Sequence, residues 1–166
     1  MPEVIINGSA GRLEARYAPG TVPNAPMGLI LHPHPQHGGS MNNKVVYALF
    51  QTFAKRGWSA LRLTWSCPGL LLLWWWIGMQ LLMRRPEIEG FISVSPPANQ
   101  FDFSFLAPCP SSGLIIRGGR DEMVPASAVT KLVTKLSQQK DIRIDHQVVP
   151  DASHFFVKRT DDLGAY

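Results

Sequence analysis

The chain is expected to fold as an α/β domain with a mostly parallel sheet and helices on both faces. Three observations carry that expectation. Strand-like and helix-like patterns alternate along the chain, the signature of strands joined by helical crossovers. The run Met27-Gly28-Leu29-Ile30-Leu31 is apolar at every position, as in a strand covered on both sides in a parallel sheet. The length, 166 residues, suits one domain and one core. With 45% apolar and 17% charged residues, the chain is too apolar to be intrinsically disordered.

Residues 4–7 and 13–18 alternate apolar and polar side chains around Gly8-Ser9-Ala10-Gly11, which predicts two antiparallel strands. A proline-rich stretch from Pro19 to Pro26 leads to the apolar strand at 27–31. Val45, Val46, Leu49, Phe50 and Phe53 recur at helical spacing, with Asn42 or Asn43 as N-cap and Gly57 as stop, so a helix is predicted over 43–55. A strand at 59–64, a helix at 77–85 and a strand at 88–94 follow; extended back to about Leu70 from a start at Pro68, the helix would join the two strands in one right-handed crossover. Beyond Pro110 come a strand at 113–117 and a helix from Pro125 with Ala128, Val129, Leu132, Val133 and Leu136 on one face. A last strand spans about 142–149.

Lys plus Arg total 16 against 12 Asp plus Glu, a net charge of +4, but basic residues occur only as scattered pairs, so a nucleic-acid partner is not expected. Two cysteines, Cys67 and Cys109, make neither a disulfide framework nor a zinc site. The first eight residues lack the basic and apolar regions of a signal peptide, which predicts a cytoplasmic protein. His32, His34 and His37 raise a metal reading, but no carboxylate follows at a ligand spacing, and no metal or cofactor is expected.

Sites in open α/β sheets form beyond the carboxyl ends of strands. Three loops there carry chemistry-bearing residues. The first is His32-Pro33-His34-Pro35-Gln36-His37-Gly38-Gly39-Ser40, the second Gly118-Gly119-Arg120-Asp121-Glu122-Met123-Val124-Pro125, and the third Pro150-Asp151-Ala152-Ser153-His154. Taken singly, Asp121 would serve as a cap for the helix at Pro125 and His154 as a turn residue. Together these loops resemble the α/β-hydrolase superfamily, more narrowly its bacterial dienelactone-hydrolase-like members with a His-Pro-His-Pro-x-x-Gly-Gly loop. The resemblance covers about residues 1–62 and 77–163 and implies a reduced α/β-hydrolase fold in a single domain over 1–166. It also implies hydrolysis of small esters, lactones or related acyl compounds. By the same resemblance His154 is the general base, Asp121 its orienting carboxylate, and amides around Gln36, His37, Gly38 and Gly39 the oxyanion loop.

The family's G-x-S-x-G elbow is absent: Leu72 stands near the nucleophile position, with Leu70 and Trp74 where glycines belong. Cys67 is followed by Pro68, which has no N–H to offer an oxyanion. Only 12 residues separate Thr64 from Ile77, too few for the helix and strand the family inserts there. A deletion joined to altered coding sequence around 63–76 is therefore expected, and the end at Gly164-Ala165-Tyr166 cuts the family's last helix short. The nucleophile is none, so the chain is expected to be weakly active or inactive. Two other readings are a binding module that kept the fold without the chemistry, and membrane attachment through 66–83. That stretch is uncharged, but its 18 residues fall short of a span.

Overall fold

The computed structural model describes residues 3–8, 11–32, 40–65 and 74–166. They form two compact units, Met1–Trp76 with Thr160–Tyr166, and Ile77–Arg159. The α/β class holds: parallel and mixed sheets are accompanied by helices in the order the sequence predicts.

In the first unit β1 (Glu3–Gly8) pairs antiparallel with β2 (Gly11–Ala18), with Glu3 opposite Arg16 and an ion pair of 2.9 Å between them. Strand β2 also pairs antiparallel with β4 (Ser59–Trp65), which runs parallel to β3 (Met27–Leu31), so the order is β1-β2-β4-β3. Helix α1 (Lys44–Lys55) starts where the Asn43 side chain accepts from the Val45 N–H at 2.9 Å. It ends at Arg56, followed by Gly57 at φ +81°, a left-handed residue that suits glycine. Val46 and Phe50 of α1 bury against Ala18, Ile30 and Ala60, with Leu49, Phe53 and Ala54 packed around them. Gly28 permits this approach, because a Cβ there would stand 2.6 Å from the Phe53 ring. The 3-10 turn Thr160–Gly164 packs on α1 and buries Leu163.

Arg62 is buried. Its Nη1 donates to the Met41 carbonyl at 2.8 Å, and its guanidinium lies 5.1 and 5.0 Å from the Tyr47 and Phe50 ring centres. It thereby ties the segment entering α1 to β4.

Helix α2 (Trp74–Arg84) leads into the second unit and buries Met79 and Leu82, three residues apart on one face. Strands β5 (Gly90–Val94), β6 (Ser112–Gly118) and β7 (Ile144–Val149) are parallel and in chain order. Consecutive Ile115 and Ile116 are both buried, as expected for the middle strand of a sheet covered on both faces. Helix α3 (Ala126–Ser137) buries Val129, Leu132 and Leu136, the face read from the sequence.

Two expectations are corrected. Strand β4 is hydrogen-bonded along both edges, to β2 and to β3, so β5 is not its neighbour and the segment through 70–85 does not join adjacent strands. Strand β3 is covered on one face only: Gly28 and Ile30 are buried while Met27 is exposed and Leu29 is 46% exposed. An unbroken apolar run does not distinguish these cases, since covering depends on what packs above each face. The expectation for residues 66–76 lies outside the described residues except for the helical backbone at 74–76.

Candidate active site

The loops after β5, β6 and β7 bring their residues together. A Cβ at Gly118, the last residue of β6, would lie 2.3 Å from the Ala152 carbonyl oxygen and 2.7 Å from that of Ser153, so glycine lets the β7 loop pass directly over the end of β6. The backbone N–H groups of Gly119 and Arg120 donate to Val149 and Ala152 carbonyls at 2.8 and 2.9 Å, locking the two loops side by side.

Asp121 follows at once. Its Oδ1 accepts from the N–H groups of Met123 and Val124, both at 2.9 Å, which folds the chain toward α3. The residue that starts α3 is Pro125, so Asp121 is not the helix cap itself. Its side chain is 2% exposed, and Oδ2 and Oδ1 lie 2.9 and 3.0 Å from His154 Nδ1. After β7, Asp151, Phe156 and Lys158 take positive φ values of 59°, 52° and 62°, which coil the loop that carries the His154 ring to Asp121. Phe156 is fully buried and anchors that loop.

The chemistry follows from the inventory of donors. A carboxylate only accepts, so the contact is a hydrogen bond when the His154 proton sits on Nδ1, and that tautomer presents a lone pair on Nε2. The His154 side chain is 17% exposed, and Nε2 has no hydrogen-bond partner among the described residues. An imidazole held in this way by a carboxylate can take a proton from a nucleophile.

Asp121 and His154 are thus brought together as the sequence implies. Gln36, His37, Gly38 and Gly39 lie outside the described residues, as do Cys67 and positions 70–72. Cys109 is buried, its thiol donates to the Ser111 carbonyl at 3.4 Å, and burial pushes its pKa up, so it is no nucleophile. Among the described residues no group of three His, Cys, Asp or Glu is placed to hold a metal, and no helix is long and apolar enough to cross a membrane. Sequence reasoning missed Ser95, whose hydroxyl donates to the His154 carbonyl oxygen at 2.9 Å. Its place directly after a strand and before Pro96-Pro97 was the available signal.

No family model matches the chain. It is similar to the uncharacterized protein RP471 of Rickettsia prowazekii (strain Madrid E), 40% identical over 203 residues that cover 98% of this chain and 85% of the relative. That 203-residue alignment exceeds the 166 residues of this chain by 37, so at least 37 of its positions face a gap here. A crystal structure of a protein of unknown function from Agrobacterium tumefaciens, assigned to the alpha/beta hydrolases, is 47% identical with a TM-score of 0.89, covering 99% of this chain and 92% of the other. An alpha-beta serine hydrolase homologue from Coxiella burnetii is 26% identical with a TM-score of 0.82, covering 99% and 94%.

Proposed function

Because the chain belongs to the α/β-hydrolase superfamily, we propose that it descends from a cytoplasmic serine hydrolase of small esters, lactones or related acyl compounds, in the dienelactone-hydrolase-like branch. In this reading it keeps the acid–base pair and has lost the nucleophile. The observation that carries the reading is the His154 Nδ1 contact of 2.9 Å to a buried Asp121 carboxylate. A solvated surface pair has no need of a carboxylate held by two backbone N–H groups.

In the ancestral reaction His154 Nε2 takes the proton of the attacking hydroxyl as it adds to the acyl carbon. The same group then returns the proton to the leaving alcohol, and water releases the acyl group by the reverse roles. Here the position near Leu72 offers no hydroxyl. Gapped positions totalling at least 37 against the Rickettsia relative support a loss of chain, which the sequence reading puts around 63–76. Without the nucleophile, about 10³–10⁴-fold acceleration over water is the ceiling, and less remains where the oxyanion donors are incomplete. No cofactor, metal or nucleic-acid partner enters the reaction.

The test is pre-steady-state turnover of a chromogenic acyl ester by the full chain, with mass spectrometry of the quenched protein. We expect no burst and no acyl adduct. A stoichiometric burst with an adduct on a serine or cysteine would overturn the loss of the nucleophile.

A further inference from the structure

Ser95 sits one residue beyond β5, at the same end of the sheet as the acid–base pair. It takes φ +47°, a conformation sparsely populated by any residue with a Cβ. Such outliers persist where the surroundings impose them. Here its backbone N–H donates to the Ile116 carbonyl at 2.9 Å, holding the residue against β6, and its hydroxyl donates to the His154 carbonyl oxygen at 2.9 Å. On the other side of the same residue, the His154 N–H faces Glu122 Oε2 at 3.5 Å, a long contact. The main chain of His154 is therefore held from the loop after β5 and approached from the loop after β6, while its ring is held by Asp121.

We propose that Ser95 is a positioning residue for His154: its hydroxyl fixes the His154 peptide so that Nδ1 meets the Asp121 carboxylate and Nε2 faces outward. The proposal rests on the reading of Asp121 and His154 as a hydrolytic acid–base pair, and it extends that pair to a third strand. The left-handed backbone at Ser95 is what aims the hydroxyl across the strand ends. Neither β6 nor β7 supplies another side-chain donor to the His154 carbonyl among the described residues.

The experiment is proton NMR of the full chain, following the downfield resonance of a hydrogen-bonded imidazole Nδ1 proton, assigned by its loss in His154→Gln. Ser95→Ala removes the hydroxyl and keeps the unfavourable backbone; Ser95→Gly removes the hydroxyl and relieves the backbone. Both variants are expected to lose or broaden the resonance and to speed amide exchange at 153–155 about five-fold, the equivalent of one net hydrogen bond. Ser95→Gly is expected to be at least as stable as Ser95→Ala. A resonance that survives unchanged in folded Ser95→Gly would overturn the positioning role. A parent spectrum without the resonance would overturn the acid–base reading itself, and the role of Ser95 with it.

Discussion

Replacing Asp121 separates its two jobs, because the carboxylate holds a turn with one oxygen and an imidazole mainly with the other. Asp121→Ala strips an acceptor from the N–H groups of Met123 and Val124 and from His154 Nδ1. Val124 is fully buried, so its N–H bears the desolvation penalty of about 1–3 kcal/mol, whereas water reaches half-buried Met123. Loss of the carboxylate–imidazole bond adds about 1.5–3 kcal/mol, for a total of about 2.5–6 kcal/mol. Asp121→Asn keeps an oxygen for both N–H groups and sacrifices only the contact with the ring, so it is expected to cost about 1.5–3 kcal/mol. None of the five tryptophans, Trp58, Trp65, Trp74, Trp75 and Trp76, lies in β6 or α3, so fluorescence would not read those elements directly. Hydrogen exchange of peptides from β6 and α3 across a urea series would. An Asp121→Ala protein within about 0.5 kcal/mol of the parent, or an Asp121→Asn as destabilised as the alanine variant, would refute the reasoning.

Gly118→Ala forces a Cβ to within 2.3 Å of a backbone oxygen, so the β7 loop must move; a loss of about 1–3 kcal/mol is expected, and a neutral urea midpoint would contradict it. His146 on β7 has its pKa lowered, first by burial and second by the charge of Arg117. The unfolded chain therefore binds this proton at the ordinary imidazole value near ~6.5 while the folded chain resists it. The contribution to stability is present above that pH and is lost as the pH falls toward the depressed folded value. His146→Gln is expected to flatten the stability curve of the second unit on the acid side of neutrality, and parallel curves for variant and parent would show that His146 does not titrate in that way.

Most of the local structure was legible from the chain alone. The spacing of Val46 and Phe50, and of Val129, Leu132 and Leu136, announces the buried faces of α1 and α3 because helical geometry fixes which positions share a side. A cap at Asn42 or Asn43 and a stop at Gly57 were readable for the same local reasons, and the structure uses Asn43. Asp121 and His154 were nominated by their loops and by family resemblance, 33 residues apart in sequence and 2.9 Å apart in space. Ser95 was not nominated, since a serine before two prolines reads as an ordinary turn until the strand order is known.

What the sequence determined by itself was therefore the elements and the buried faces of α1 and α3, which follow from periodicity, together with a resemblance in short contiguous motifs to the superfamily. Only the tertiary structure decided the division into a four-stranded and a three-stranded sheet, the exposure of Leu29 beside a buried Ile30, and the hydrogen bond that brings Ser95 to His154. These depend on which strand edge is already filled and which face is already covered. Such competition is settled between residues far apart in the chain, where pattern carries no record of it.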